Sequence, residues 1–498
     1  MSDIKEIISL LQNPTEKDIE LIQKSYDFAL KAHEKHKRNN GEPYFSHCFA
    51  TAKNIAELGM GATTISAGFL HDTVEDVGIT LGQIEKEFGS EIKFLVEGVT
   101  KLGQIKYHGT TRYNESLRKL FVAMSQDIRV LIIKLCDRLH NIQTLQYVPK
   151  EKQLRIAKET LEIYAPLAYR LGIKKLQRNL EDLSFEYVYP DESEKIKKLL
   201  RIKKKEQEEH LDRFQRSLKK ELAKNNIIDF KIDHRVKSLY SLYKKLQKYN
   251  WDVENIYDIS ALRITVKEIP DCYKILGIIH GSWRPLPGRI KDYIASPKLN
   301  GYRSVHTTVF SGDGGIIEVQ IRTEEMDKEA EYGIASHISY KEGLKKRGTD
   351  PNLLWLRKIL PTSSPVKSEN ASTVVDVPMW VKDLVKYQKE AGDDFLEDIK
   401  TDFFEERIFV FTPKGDVIDL PKGSSVIDFA YSIHSDIGNH MSGARVNGKF
   451  LAINTVLQNG DRVEIETKKS AKPSLKWIES CKTTMAKRHI RSVLENKR

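Results

Sequence analysis

The stretch Phe69-Leu70-His71-Asp72-Thr73-Val74-Glu75-Asp76 organises the first part of this chain. It follows the small and apolar run 63–70, so the pattern predicts a helix whose first half is buried. On a helix the pairs His71/Glu75 and Asp72/Asp76 each lie one turn apart, giving two adjacent polar ridges. One imidazole and three carboxylates placed so close would repel unless a cation or a proton intervened. Taken alone, the string is also compatible with a solvated acidic helix end.

Two other stretches favour a metal site. Residues 43–47 open a helix that runs to about residue 58 and place His47 at its start. Residues 127–141 form an apolar helix interrupted by Asp137, and a carboxylate there is costly unless it is paired or binds a metal. His47, the His71-Asp72 doublet and Asp137 resemble the H…HD…D ligand set of HD-domain metallophosphohydrolases. Such a set suits a divalent transition ion such as Mn²⁺, although the spacing does not fix which one.

The composition is that of a large, soluble, multidomain protein. At 498 residues, with 40% hydrophobic and 30% charged residues, three or four domains are expected. Because 18 consecutive apolar residues occur nowhere and the N-terminus lacks a signal-peptide pattern, we expect a cytoplasmic protein. The four cysteines are far apart and predict core thiols. The net charge of +11 favours polyanionic partners, although it also serves solubility.

The first 190 residues are predicted to be almost entirely helical. Apolar stripes of helical period predict segments near 15–37, 44–58, 62–76, 80–99, 112–124, 127–146 and 150–172. Arg38 lies in a loop just before His47, where it could clamp phosphate or simply face solvent. A charged helix from residue 191 to about 225 is predicted to connect this domain to the next.

The second domain changes to strands. Residues 258–266 and 301–310 are predicted strands, and after a glycine turn residues 316–323 complete a hairpin. Alternation places Glu318, Gln320 and Arg322 on one face, above an apolar back. That polar face could simply be solvated. Cations nevertheless surround it, in a helix-spaced stripe of Arg235, Lys237, Ser241 and Lys245 and in the loop 284–298. Such a density of cations favours phosphate groups.

These motifs in this order resemble the long RelA/SpoT-homologue family of (p)ppGpp synthetase/hydrolases. The resemblance rests on the helical HD unit, the Arg-x-Lys stripe, Asp258-x-x-x-x-Arg263, Asn300-Gly-Tyr302 and Glu318-x-Gln320-x-Arg322. It runs from residue 20 to the C-terminus. It implies one site that removes the 3′-pyrophosphate of (p)ppGpp and another that moves pyrophosphate from ATP to the 3′-OH of GDP or GTP.

For the hydrolase, the resemblance implies Mn²⁺ held by His47, His71, Asp72 and Asp137. Glu75 and Asp76 are then expected to orient or deprotonate the attacking water. The implied nucleotide contacts are Arg38, Asn141 and Thr144. Asn39 stands where the family often has a second basic residue, which predicts a weaker hold on phosphate.

For the synthetase, the resemblance implies Mg²⁺ on Asp258 and Glu318, with Glu318 also able to take the proton of the attacking 3′-OH. Arg235 and Arg263 are expected to sandwich adenine, and Tyr302 to stack on guanine. The implied ATP contacts are Arg235, Lys237, Ser241, Lys245 and Arg263; the implied GDP or GTP contacts are Lys291, Lys298, Tyr302, His306 and Gln320. The Arg289-x-Lys291-Asp292 sequence has the form of bifunctional members.

The remaining chain is predicted to contain a linker, 343–405, and a small β-grasp that resembles the family's TGS domain, 406–468. His434 matches a position that touches the tRNA 3′ end in ribosome-bound relatives, although an isolated histidine at a helix end is more often structural. Residues 469–498 are expected to begin a helical regulatory domain. The predicted fold is thus multidomain α+β: an all-α HD domain (1–190), a nucleotidyltransferase-like synthetase domain with a mixed sheet (191–342), and TGS.

Two opposed activities in one chain would be futile together, so we expect each site to close the other through the helices at 170–225. A hydrolase-dominant enzyme with a silent synthetase is the nearest alternative, since Ile338 replaces an aromatic residue common there. A non-catalytic tRNA or ribosome adaptor is the third.

Overall fold

The computed structural model describes residues 3–100, 127–252, 260–295, 297–298, 300–312, 315–336, 338, 401–402, 405 and 407–495. The predicted helix 112–124, nearly all of the linker 343–405, and Asp258 lie outside these residues. The chain divides into two compact units, Met1–Lys386 and Tyr387–Arg498. No helix in the described part is long and apolar enough to cross a membrane. All four cysteines are buried free thiols, as predicted.

The N-terminal half of the first unit is helical. Capping boxes begin two of its helices, one at Thr15 with Asp18 and one at Thr80 with Gln83. The helices are α1 (Ile4–Ile8), α2 (Glu16–Ala32), α3 (Phe45–Glu57), α4 (Ala62–Leu70), α5 (Thr73–Asp76), α6 (Leu81–Phe88), α7 (Ser90–Thr100), α8 (Arg129–Gln143), α9 (Lys150–Glu159), a π-helical turn (Thr160–Tyr164), α10 (Ala165–Arg170) and α11 (Lys174–Val188).

Helix α4 is the centre of this half, because all of its residues except Thr63 are buried. A Cβ at Gly68 would lie 2.5 Å from Ile55 Cδ1, so a larger residue would have to displace the end of the Ile55 side chain where α4 packs against α3. The prediction of a single helix through 62–76 is wrong. Helix α4 ends at Leu70, and Thr73 Oγ1 donates to the Leu70 carbonyl at 2.7 Å. The chain therefore turns at His71-Asp72, and the expected straight ridges do not form.

The predicted connector is confirmed as α12 (Pro190–Lys224), a 35-residue helix with proline in its first turn. It leads into a five-stranded mixed sheet in the order β1-β2-β5-β4-β3. The elements are β1 (Lys231–Val236), α13 (Leu239–Lys248), β2 (Ser260–Val266), α14 (Ile269–Ser282), β3 (Lys291–Asp292), β4 (Val305–Phe310), β5 (Ile316–Thr323) and α15 (Glu324–Tyr332). The strand predicted at 301–310 starts only at Val305, because positive φ at Gly301 belongs to a turn.

Strand pairing fixes the two faces of this sheet. The β4–β5 hairpin is antiparallel, whereas β2 and β5 run parallel. Ile317, Val319 and Ile321 belong to the buried cluster on the apolar face, as their alternation predicted. Gln320 and Arg322 on the opposite face are 6% and 0% exposed. This polar face is therefore enclosed, and the alternative of a solvated surface does not hold for it.

The helical half and the sheet touch at two glycines. Gly172 and Gly333 both have positive φ, and a Cβ on Gly333 would lie 2.2 Å from the Leu171 carbonyl oxygen. The same carbonyl accepts a hydrogen bond from Ile334 N at 2.9 Å. Arg178 on α11 pairs with Glu331 on α15 at 2.7 Å. The end of the helical half is thus bonded directly to the helix that follows β5.

The second unit contains β6 (Arg407–Phe411), β7 (Val417–Pro421), α16 (Val426–Ile433), α17 (Ser435–Asn439), β8 (Met441–Val446), β9 (Lys449–Leu451), β10 (Val463–Thr467), α18 (Leu475–Ser480) and α19 (Thr484–Glu495). The strand predicted at 443–453 is two strands, because Asn447 and Gly448 adopt positive φ and turn the chain. Residues Cys481, Ala486 and Ile490 share the buried cluster of the small sheets. That the C-terminal helices begin a further domain stays a prediction.

Candidate functional sites

The four predicted metal ligands converge from two helices, α3 and α8, and from the turn between α4 and α5. His47 Nε2 lies 3.3 Å from both Asp72 Oδ2 and Asp137 Oδ1, and His71 Nε2 lies 3.2 Å from Asp72 Oδ2 and 4.0 Å from Asp137 Oδ1. His47, His71 and Asp137 are buried, and one donor atom from each lies within 4.8 Å of the others. Four donors so close, two of them imidazoles, have the composition and spacing of a divalent-metal site.

Hydrogen bonds aim the His71 ring at this cluster. His71 Nδ1 lies 2.8 Å from the Gly68 carbonyl oxygen, which can only accept, so Nδ1 carries the proton. The other ring nitrogen, Nε2, faces the carboxylates, and among the described residues it makes no hydrogen bond of good geometry. Burial opposes a charge on this ring, yet Asp72 outweighs it and raises the pKa of His71 to about 9. Without a metal, Nε2 therefore carries a proton at neutral pH, and a cation bound between this nitrogen and the carboxylates would take the place of that proton.

Neighbouring side chains fix both carboxylates. Asp137 Oδ2 accepts from Lys134 Nζ at 2.7 Å, and Tyr44 donates its hydroxyl to Asp72 Oδ2 at 2.9 Å. Although burial opposes ionisation, Lys134 and His47 hold the pKa of Asp137 well below its usual range. The pKa of Asp72 is likewise lowered, by both histidines against burial. Both carboxylates are therefore ionised and available as ligands at neutral pH.

The other predicted hydrolase residues rim this cluster. Glu75 and Asp76 are exposed on α5, one turn beyond the ligand pair. Burial of its carboxyl, together with Asp72 and Asp76 and against Lys134, raises the pKa of Glu75. Arg38 Nη2 donates to Asn141 Oδ1 at 2.9 Å and approaches Thr144 Oγ1 at 3.4 Å. The structure therefore brings together the three predicted nucleotide contacts, and it places them beside the metal cluster.

A second set of polar residues forms one row across the five-stranded sheet. Arg263, Gln320, His306 and Lys291 are successive cross-strand partners on β2, β5, β4 and β3. Arg235 reaches the same face from β1, where its Nη1 donates to Gln320 Oε1 at 2.9 Å. Partners in register share a face of the sheet. Five residues predicted from separate motifs therefore lie on one surface.

Glu318 and Tyr302 lie beside this row. Glu318 Oε1 accepts from Gln320 Nε2 at 2.9 Å and lies 3.2 Å from His306 Nδ1. Tyr302 shares a hydrogen bond of 2.8 Å with His306 Nε2, and its ring is 3% exposed. Lys298 Nζ lies 5.5 Å from that ring centroid, and burial with nearby Lys291 and Arg235 lowers the pKa of Lys298. Together, the ring, the carboxylate and the cations can bind a ligand that carries both an aromatic base and phosphate groups.

The predicted helix-spaced cation stripe is partly wrong. Arg235 lies on strand β1 and Lys237 in the following loop, because the helix begins only after Ser238. Ser241 and Lys245 do lie one turn apart on α13. Ser241 Oγ accepts a hydrogen bond from Ser238 Oγ at 2.8 Å. The four residues of the stripe therefore belong to a strand, a loop and a helix.

Sequence profiles of three families match successive parts of the chain. They are the HD domain over residues 25–174, the region found in RelA/SpoT proteins over 234–345, and the TGS domain over 408–467. The chain belongs to the RelA/SpoT family. The family assignment agrees with the mixed α+β, multidomain architecture described above.

Several RelA/SpoT relatives align over almost the whole chain. A guanosine-3′,5′-bis(diphosphate) 3′-pyrophosphohydrolase of Aquifex aeolicus is 44% identical over 96% of this chain and 65% of its own length. A GTP pyrophosphokinase of Myxococcus xanthus is 42% identical over 96% and 61%. A bifunctional (p)ppGpp synthase/hydrolase RelA of Mycobacterium tuberculosis is 41% identical over 95% and 62%. The chain thus spans less than two thirds of the length of each of these relatives.

Four residues at the two RelA/SpoT sites escaped prediction. Tyr44, His140, Lys174 and Arg322 all lie within these sites, yet each stands in a stretch that packing alone would explain. Arg322 was assigned only a position on the polar face, but it is fully buried and pairs with Asp327 at 2.5 Å. The signal that could have found His140 is its place between Asp137 and Asn141 on one helix. Nothing in the local sequence distinguishes Lys174 from the adjacent Lys175.

Ile338 and His434 were singled out from sequence for different reasons. Ile338 is 2% exposed and therefore belongs to the core. The effect of this residue on synthesis stays a prediction. His434 ends α16 and caps α17, since its Nδ1 accepts from Asp436 N at 3.1 Å. That capping bond gives the exposed ring a structural role. Contact of His434 with tRNA remains a prediction.

Proposed function

We propose that this chain is a bifunctional alarmone enzyme, which hydrolyses (p)ppGpp at the HD cluster and transfers pyrophosphate from ATP to GDP or GTP at the sheet. The observation that supports the proposal is that two groups of residues with different chemistry lie in one chain. The first has four metal-type donors with contacts of 3.2–4.0 Å. The second has a carboxylate, Glu318, on a sheet face lined with cations and adjoining the Tyr302 ring.

The hydrolase residues fit a divalent ion, which we assign as Mn²⁺ bound by His47, His71, Asp72 and Asp137. Such an ion supplies a bound water of lowered pKa and polarises phosphate. We propose that Glu75 and Asp76, at the rim, orient that water or accept its proton; the raised pKa of Glu75 favours proton uptake by its carboxylate.

Phosphate binding completes the proposed hydrolase site. Arg38 donates to Asn141 in the described structure, and we propose that it exchanges this neutral partner for substrate phosphate. Thr144 and Asn141 then hold the nucleoside.

At the sheet, we propose that Glu318 binds Mg²⁺ together with Asp258 or takes the proton from the attacking 3′-OH. The proximity of His306 and Gln320 to the Glu318 carboxylate supports a role in orienting it. Arg235 and Arg263 supply planar cations for adenine, and Lys237, Ser241 and Lys245 supply donors for the ATP phosphates. Guanine is assigned to the Tyr302 ring, with Lys291, Lys298, His306 and Gln320 around it.

We further propose that the two sites are reciprocally regulated through α11. Lys174 Nζ, on the first turn of that helix, lies 3.2 Å from the Tyr302 ring centroid, where a stacked guanine would lie. Four residues along the helix, Arg178 pairs with Glu331, which is 3.5 Å from the adenine-site residue Arg263. A shift of α11 would therefore act on both halves of the synthetase pocket. The described arrangement corresponds to a closed guanine site.

Paired single substitutions test the assignment of the two activities. Asp72→Ala is expected to abolish release of pyrophosphate from ppGpp in Mn²⁺ while leaving synthesis from ATP and GDP in Mg²⁺. Glu318→Gln is expected to do the reverse. Loss of both activities in either variant would contradict two separate sites. Wild-type hydrolysis without synthesis would instead support the hydrolase-dominant alternative.

The partners of the second unit form a separate proposal. Its TGS match supports binding to tRNA on the ribosome in the cytoplasm, with His434 as the candidate contact. A filter-binding assay of the whole chain with uncharged tRNA, comparing His434→Ala with wild type, tests it. Equal affinity of the two proteins would remove His434 from the contact surface.

A further inference from the structure

His140 joins the metal cluster to the phosphate-binding arginine. It lies in the last turn of α8, between Asp137 and Thr144. Its Nδ1 is 2.8 Å from His47 Nδ1, and the two ring centroids are 5.0 Å apart. Arg38 Nη1 approaches the same Nδ1 atom at 3.4 Å. His140 Nδ1 therefore contacts both His47, a predicted metal ligand, and Arg38, which is predicted to bind the nucleotide.

The direction of these hydrogen bonds follows from the chemistry of the donors. A guanidinium has only N–H groups, so Arg38 can only donate, and His140 Nδ1 must be an acceptor. The second contact to that nitrogen is then an N–H donated by His47 Nδ1. His47 is thereby held in the tautomer whose Nε2 lone pair faces Asp72 and Asp137, each 3.3 Å away.

The two imidazole ligands are oriented by acceptors of different kinds. The Gly68 backbone carbonyl orients His71, and no side-chain substitution removes that acceptor. For His47 the acceptor is a side chain. We propose that His140 is the positioning residue of this centre, which holds His47 Nε2 on the divalent cation and links that ligand to Arg38. The proposal rests on the metal-dependent hydrolase function given above.

Partners of metal-bound histidines typically account for about 10- to 100-fold in metal affinity or activity. The Asn side chain offers its Oδ1 at nearly the position of a histidine Nδ1, whereas leucine fills similar space without an acceptor. His140→Leu is therefore expected to weaken Mn²⁺ binding by about 10- to 100-fold, and His140→Asn to restore most of it. His36→Leu, a half-buried histidine outside the cluster, is the matched control and should leave metal affinity unchanged.

The measurement is calorimetric titration of Mn²⁺ into the whole metal-free chain, with thermal unfolding of each metal-free variant as the check on folding. Should His140→Leu fail to fold, His140→Ala replaces it with the same expected loss. Affinity of the leucine or alanine variant within threefold of wild type would overturn the proposal. Equal weakening by leucine and asparagine would overturn it too, since only packing would then matter. If the wild type bound Mn²⁺ tightly but released no pyrophosphate from ppGpp, the hydrolase function would be refuted. The role of His140 would still be decided by the measured Mn²⁺ affinities of the variants.

Discussion

Removing the Lys174 side chain is expected to open the guanine site. Its amine lies 3.2 Å from the Tyr302 ring centroid, and burial together with Arg235 and Arg322 holds the pKa of Lys174 well below its usual range. Because burial and these guanidinium groups disfavour the charged amine, the contact is that of a neutral amine over the ring, and contacts of this N–H···π kind contribute about 0.5–1 kcal/mol. We take about 1 kcal/mol as the net stabilisation of the closed site. That free energy corresponds to about fivefold in apparent affinity for GDP.

The assay is the initial rate of alarmone synthesis at saturating ATP and Mg²⁺ while GDP is varied. Lys174→Ala should lower the KM for GDP about fivefold, with ppGpp hydrolysis unchanged. Lys175→Ala is the matched control, because that amine points to Glu57 at 2.9 Å and not to the ring. An unchanged KM would refute the occluding role of Lys174. A raised KM would show instead that the lysine binds the nucleotide.

Three other outcomes test separate parts of the account. Chelation of divalent metal by EDTA should stop hydrolysis and lower the melting temperature of the whole chain, and re-addition of Mn²⁺ should restore both; scanning calorimetry and pyrophosphate release measure this. Gly333→Ala should destabilise the first unit by more than Gly78→Ala in urea denaturation, since both have positive φ but only Gly333 meets the Leu171 carbonyl. Tyr44→Phe should weaken Mn²⁺ binding in a metal titration, because Asp72 loses the hydroxyl that donates to it at 2.9 Å; unchanged affinity would make that contact incidental.

The metal cluster could be predicted from the sequence because metal binding requires particular residue types. A carboxylate at 137 inside an apolar helix and a histidine-aspartate doublet at 71–72 have few stable explanations without a cation. The break between α4 and α5 was not predictable, since residues 62–76 carry no glycine or proline at the turn and local propensity favours a continuous helix. In the structure, the local hydrogen bond from the Thr73 hydroxyl to the Leu70 carbonyl lies at this break.

In the sheet, too, some features could be predicted from the sequence and others could not. Alternation along β5 correctly placed Glu318 and Gln320 opposite Val319, because a strand has a period of two. The order of the strands, which aligns Arg263 with Gln320 and His306, depends on pairing between segments far apart in sequence. Likewise, nothing near Lys174 indicated that a helix of the N-terminal helical half would reach the Tyr302 ring.

The most direct test of the central claim is ³¹P NMR of one sample of the purified chain, supplied first with ATP, GDP and Mg²⁺ and then with Mn²⁺. The account predicts that ppGpp and AMP accumulate in the first stage, and that GDP and free pyrophosphate replace ppGpp in the second. If neither set of resonances changed in metal-loaded protein, the two sites would share the family's fold without its reactions, and the account would be wrong.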